Sequence, residues 1–358
     1  MTKILLIRLS SFGDILLATP AIRAIKIRYP EGLIDFVVYD RFAASLAFHP
    51  DVSRLFLLPK KKLKEHLARR EFGLFWATLR TFISELRTTH YDFVIDLHSV
   101  TESALTALAA RGRTKVGHNK QLLSLFFSIR SSFDVGFATA TMHAAESNLQ
   151  FLVDAGCLTP ADLPKKTRLE FSVPEIAHRE VDDYLARLGL EGKLLMGINP
   201  CASYDFKRWS TDRFAAVADF LAETFGATIL VFGTPAEQPV VCQVMAAMKN
   251  PAIDTSHLSV YQAFELIGRL RLFVTNDSAP MHVAAALGTP LVALHGPINV
   301  KKFSPLTDVG RGISKDLPCL PCKDIALCTS RLCFDQVSVE EVCLACSDVL
   351  NSLAALSP

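Results

Sequence analysis

The polar residues near position 277 have the types and spacing of an anion-binding corner. They lie in the run TNDSAPMHVAAALGTPLVALHGP, Thr275 to Pro297. Leu272 to Thr275 is an apolar run of strand length, and Asn276, Asp277 and Ser278 are turn and N-cap types. Pro280 then falls at the first helical position, where its missing N–H costs nothing. The helix MHVAAAL stops at Gly288, a left-handed C-terminal cap, and Pro290 opens the next strand. A helix start of this kind exposes unbonded N–H groups and a partial positive charge, so a phosphate is its natural partner. The plainer alternative is that Asp277 caps the helix and His282 packs beneath it.

Three other places carry polar groups just after apolar strands. In LSSFGDILLATPAIRAI, Gly13 lets the backbone approach a ligand and Asp14 sits where a strand's carboxyl end turns into a helix. A carboxylate there is either a general base or a helix cap, and the helix dipole opposes any effect of burial on its charge. In NPCASYDFKRWSTDRF, Ser203 and Lys207 precede a helix, and a lysine so placed neutralises a diphosphate as a point charge. In FGTPAEQ, Glu237 is placed to accept hydrogen bonds from ribose hydroxyls, or else simply favours the first turn of a helix. His98 and His143 are single histidines beside apolar segments and read as satisfied structural groups. The chain has no GxGxxG after its first strand and no GxxxxGKS, which argues against a dinucleotide oxidoreductase and a P-loop kinase.

These residues need strand ends to hold them, and the patterning supplies strands in two sets. KILLIRL, LIDFVVY, LFLL and FVIDL alternate with helical segments, the signature of a parallel α/β sheet. The polar stretch Ser172 to Lys193 interrupts the alternation, which restarts at KLLMGINP. The expectation is an N-terminal Rossmann-like domain over 1–172, a linker over 173–193 and a C-terminal Rossmann-like domain over 194–358, with the strand ends facing a central cleft. At 358 residues, two domains are the default.

The motifs RLSSFGDILLATPAIRAIK, NPCASYDFKRW and TNDSAPMHVAAALGTPLVALHGP together resemble glycosyltransferase family 9, the ADP-heptose:lipopolysaccharide heptosyltransferases. The similarity runs over nearly the whole chain, and the last motif is the most specific. The resemblance implies a GT-B architecture, with the nucleotide-sugar donor on the C-terminal domain, a lipopolysaccharide core acceptor on the N-terminal one, and inversion at the sugar carbon. It implies Asp14 as the base, Lys207 and Ser203 as phosphate contacts, and Glu237 as the ribose carboxylate. It places Asp277, Ser278, Ala279 and His282 around the donor diphosphate and sugar. No cofactor is required, since the ADP-sugar is a substrate. Three departures stand out: Cys201 and Ala202 replace glycine or hydroxyl residues, Ala279 stands where glycine is frequent, and the basic aromatic segment Lys60 to Arg87 is longer than expected.

Bulk properties narrow the partners. Hydrophobic residues make up 50%, charged residues 21%, and the net charge of +2 argues against wholesale nucleic-acid binding. The start MTKILLIRLSSFGD has no secretion-type apolar core, and no stretch reaches the roughly 18 apolar residues of a membrane span. A cytoplasmic enzyme is expected, resting on the inner face of the membrane if Lys60 to Arg87 lays its cations on anionic headgroups. The alternative for that charge run is a solvated helix face. Of nine cysteines, Cys319, Cys322, Cys328 and Cys333 have spacings compatible with structural zinc, though free structural thiols are the simpler reading.

Overall fold

A computed structural model describes residues 1–119, 122–132, 141–322, 328 and 330–356. They fall into two compact units, the first within Met1–Val135 and Ala144–Ser172, the second within Gly136–His143 and Val173–Pro358.

The first unit is a sheet of parallel strands: β1 (Lys3–Ile7), β2 (Leu33–Tyr39), β3 (Arg54–Leu58), β4 (His90–Asp96), β5 (Arg111–His118) and β6 (Ile129–Ser131). Their order in space is β3-β2-β1-β4-β5-β6. Helices cover both faces, so the strands can be apolar throughout. Side chains of β1 alternate between two cores: Ile4 and Leu6 pack with Ile15, Ile22 and Ile25, while Leu5 and Ile7 pack with Leu86, Ala104 and Ala107. The basic aromatic segment forms two helices rather than one, Lys60–Ala68 and Phe72–Leu86, broken where Arg70 takes a φ of 58°.

The second unit repeats the plan with β7 (Leu195–Asn199), β8 (Thr228–Val231), β9 (Ala252–Asp254), β10 (Leu272–Asn276), β11 (Leu291–Leu294) and β12 (Gly310–Ile313), ordered β12-β11-β10-β7-β8-β9. Met196 and Ile198 of β7 pack against Phe214, Val217 and Leu221 of the helix Thr211–Phe225, in a core shared with Val342 and Cys346 of the helix Val339–Leu356. Two helices end as their glycines dictate. Gly226 (φ 67°) and Gly288 (φ 73°) take the left-handed conformation that side chains resist. The capping box of Ser259 and Gln262 closes as its spacing predicts, with Ser259 N donating to Gln262 Oε1 at 2.8 Å and Gln262 N to Ser259 Oγ at 3.3 Å. The polar helix Glu175–Arg187 packs within this unit, with His178 Nδ1 2.8 Å from Glu265 and Tyr184 against the ring of His257.

Candidate active site

In each sheet the strand order reverses between two neighbours, β1 and β4 in the first unit and β7 and β10 in the second. Loops leaving the carboxyl ends of such a pair diverge and leave a crevice, which is where doubly wound folds bind ligands. Asp14, Ser203, Lys207, Asp277 and Ser278 follow three of those four strands, β1, β7 and β10, while Glu237 follows β8.

In the first unit, Asp14 lies in the third position of the short helix Phe12–Leu16. Its Oδ2 accepts from Ser11 N (3.1 Å) and Ser11 Oγ (2.8 Å), so the capping alternative is realised. Its Oδ1 is also 3.0 Å from Arg8 NH2, while Arg8 NH1 donates to Leu97 O at 2.6 Å. The carboxylate is thus held in one orientation between the β1 and β4 loops. Gly13 is buried directly beside it.

Across β4, the buried carboxylate of Asp96 accepts from His98 N (2.9 Å), Ser99 N (3.1 Å) and Ser103 Oγ (2.9 Å). Burial pushes its pKa up although all three donors favour the charged form. Burial, then the charge of Arg8, depresses the pKa of His98 to about 4, so its ring is neutral. Nearby, Lys60 Nζ reaches Tyr39 Oη (2.8 Å) and Glu102 Oε1 (3.0 Å). Burial works against the charge of Lys60, but these two bonds outweigh it and the pKa rises.

In the second unit the corner is stitched by two asparagines that end their strands. Asn199 Nδ2 donates to Thr275 Oγ1 (2.9 Å) and Ser278 Oγ (3.1 Å). Asn276 Nδ2 donates to Pro200 O (2.8 Å), and its Oδ1 accepts from Trp209 N (3.1 Å). Within this frame Lys207 Nζ is 2.7 Å from Asp277 Oδ2. Asp277 therefore pairs with a cation instead of capping the helix. Ser278 occupies the N-cap position, yet its hydroxyl serves Asn199 and not the helix. The helix Ala279–Leu287 has Pro280 at its second position, one later than expected but still in the first turn, and His282 is buried on it. Beside Asp277, at the end of β11, His295 is fully buried. Burial lowers its pKa, and a Cβ on Gly312 would stand 3.0 Å from its Nε2.

Other expected residues are placed separately. Glu237 Oε2 accepts from Thr234 N (3.0 Å) and Thr234 Oγ1 (2.8 Å) after β8, the capping alternative again. Ser203 is exposed in the loop that carries Lys207, and neither it nor Glu237 joins the Lys207–Asp277 network among the described residues. His143 Nε2 lies 2.9 Å from Ser304 O, a structural contact.

The loop from Cys201 to Trp209 is clamped from outside. Trp209 is buried and its Nε1 donates to Val337 O (3.2 Å). Arg213 NH1 donates to the carbonyls of Phe334, Asp335 and Val337, and Arg331 NH2 donates to those of Asp205 and Arg208. Gly296 is needed here because the ring of Phe334 comes within 2.3 Å of where a Cβ would be. The cysteines of this region are free thiols: Cys319 and Cys328 are exposed, Cys322 half-buried and Cys333 buried. Among the described residues the one group with metal-ligand spacing is His49, Asp51 and Glu170 instead. There Asp51 N donates to His49 Nδ1 (3.2 Å), and Nε2 lies 3.2 Å from Glu170 Oε2 without a hydrogen bond between them. The one hydrogen bond within the group is thus local, from Asp51 N to His49.

Reasoning from sequence missed Arg8, Asp96, Asn199 and His295, took Asn276 only as a turn residue, and read His98 as a satisfied structural group although its Nδ1 has no partner among the described residues. The asparagines had a signal, since a buried amide ending an apolar strand (GIN, VTN) requires a partner.

Residues 79–330 match the family model for glycosyltransferase family 9 (heptosyltransferase). The chain belongs to that family. This family 9 chain is 28% identical over 291 residues to lipopolysaccharide heptosyltransferase 3 of Escherichia coli, covering 79% of the chain and 80% of the relative. Its fold is that of a family 9 glycosyl transferase from Veillonella parvula (TM-score 0.86, 23% identity, 98% of both chains). It is likewise that of the E. coli ADP-heptose lps heptosyltransferase II (TM-score 0.77, 23% identity, 99% of this chain and 100% of that one). The two parallel α/β sheets are thus the Rossmann-like pair of a GT-B glycosyltransferase, as the motifs imply.

Proposed function

We propose that this glycosyltransferase moves a heptose from an ADP-activated donor to the inner core of lipopolysaccharide, with inversion at the anomeric carbon. The observation that carries the reading is the Lys207–Asp277 pair at the β7/β10 crevice, against the start of the helix Ala279–Leu287. The corner offers an ammonium and unbonded N–H groups to a diphosphate. The heptosyltransferases among the relatives support heptose as the sugar and lipopolysaccharide as the acceptor.

In this reading an acceptor hydroxyl gives its proton to Asp14 as its oxygen attacks the anomeric carbon, and the bond to ADP breaks with both electrons leaving on the diphosphate. Departure is the demanding step. Lys207 and the N–H groups near Ser278 and Ala279 take up the developing charge, so no resident cofactor is needed. Ser203 and His282 complete the phosphate and sugar contacts, and Glu237 holds the ribose through the oxygen not engaged by Thr234. A transfer assay with ADP-heptose and a panel of truncated lipopolysaccharide acceptors tests the reading. ADP formation that requires both substrates supports it, while donor binding without transfer to any acceptor makes the chain a nucleotide-sugar binding module.

The same reading puts the enzyme against the cytoplasmic face of a membrane. Among the described residues no helix is long and apolar enough to cross one. The helical pair Lys60–Ala68 and Phe72–Leu86 instead exposes Leu67, Phe72, Leu74 and Trp76 beside Lys61, Lys62, Lys64, Arg69 and Arg70. Aromatic rings next to cations suit the boundary of an anionic lipid surface.

A further inference from the structure

Beside Asp14, the loop after β4 presents polar groups that the mechanism above does not use. Asp96, 1% exposed, takes the N–H groups of His98 and Ser99 and the hydroxyl of Ser103. Those three bonds impose the turn, and Ser99 is driven to a φ of 60°, a region that side chains other than glycine rarely enter. Strain of this kind persists where the surroundings over-determine the backbone, and it concentrates at binding sites. The turn holds up an imidazole and a hydroxyl. Three buried atoms at this corner, His98 Nδ1, Ser99 Oγ and Arg8 Nε, find no hydrogen-bond partner among the described residues. Buried polar atoms are nearly always paired, so three together point to a ligand or to ordered water.

The chemistry of that ligand follows from the groups. Arg8, Asp14, Glu102 and Lys60 surround the His98 ring, two cations and two anions, which favours neither sign of ligand charge. A neutral imidazole and a hydroxyl each donate and accept, the pattern that matches a sugar diol. We propose that His98 and Ser99 bind hydroxyl groups of the acceptor sugar and so turn its attacking hydroxyl toward Asp14. The proposal rests on the transferase reading for the word acceptor, but the binding site is testable without transfer.

The probe is the tightest binder among deacylated lipopolysaccharide core oligosaccharides carrying no, one or two heptoses, titrated into the full chain without donor and followed by calorimetry. His98→Ala should weaken its binding by about tenfold or more, because a site built to bond a hydroxyl loses that much when the bond cannot form. His98→Gln, which keeps a donor and an acceptor at similar reach, should restore part of the loss. Ser99→Gly guards against misfolding, since glycine accepts this φ freely, and it should weaken binding with no drop in melting temperature. ADP affinity should stay unchanged in all three variants. Wild-type oligosaccharide affinity in both His98→Ala and Ser99→Gly overturns the proposal, as does failure of the wild type to bind any of the oligosaccharides. If the variants lose the oligosaccharide while the wild type moves no heptose, the site stands and the transfer reading falls.

Discussion

Replacing Lys207 with methionine removes the ammonium and keeps most of the stem, and its consequences are calculable from the pair it breaks. Nζ sits 2.7 Å from Asp277 Oδ2, with the lysine side chain 28% exposed and the aspartate 8%. Orphaning one partner of a fully buried pair costs about 3–5 kcal/mol, and an exposed pair is worth about 0–1 kcal/mol. A pair wet at one end and dry at the other falls between, so Lys207→Met should cost on the order of 2 kcal/mol of stability. The catalytic loss should be larger. Removing one preorganised donor from a developing oxyanion typically costs about 10²–10³ in rate, and here the unpaired Asp277 charge is also left facing the diphosphate. Adding Asp277→Asn should therefore recover part of the ADP affinity lost in Lys207→Met, with a coupling of about 0.5–3 kcal/mol. Calorimetric titration of ADP into the four proteins of this cycle, with melting curves on each, gives both quantities. If Lys207→Met melts earlier yet binds ADP as tightly as the wild type, the pair is a structural clip and the diphosphate docks elsewhere.

Asp14→Asn keeps the side-chain shape but cannot take a proton, so turnover should fall by about 10²–10⁴, or roughly 3–5 kcal/mol of barrier, in single-turnover assays with donor affinity retained. Between about pH 4 and 6.5, the folded pKa and ordinary value of His98, the unfolded chain binds a proton that the folded chain refuses. That contribution is complete above pH 6.5 and is lost as pH falls toward 4, amounting to roughly 3 kcal/mol. Urea unfolding across this window should show a shallower pH slope in His98→Gln than in the wild type. Replacing Phe72, Leu74 and Trp76 together with serine should reduce co-sedimentation with anionic vesicles and leave transfer to a deacylated acceptor intact, while unchanged sedimentation would remove the helical pair from the membrane.

The alternation of apolar runs with helical segments was legible because parallel strands covered on both faces must be apolar throughout, as KILLI and LIDFVVY are. Gly226, Gly288 and, to within one position, Pro280 could be placed from sequence because backbone conformation alone decides them. Side-chain partners across the sheet could not. Asp277 and Lys207 are 70 positions apart, and only the β7/β10 adjacency lets an ion pair outcompete the local cap. The same limit hid His98, which reads as a lone histidine until Asp96 and Arg8 are seen around it.

Trp209 and Arg213 grip the backbone of the 330s and Arg331 grips the carbonyls of Asp205 and Arg208 in return, so the diphosphate-facing loop borrows its rigidity from a stretch more than a hundred positions downstream. A protein cut ahead of Arg331 would retain each side chain assigned to the nucleotide and still behave as a nucleotide-binding mutant. Deletion mapping would then place the donor pocket in the wrong part of the gene, whereas point changes at Arg213 would reveal a splint.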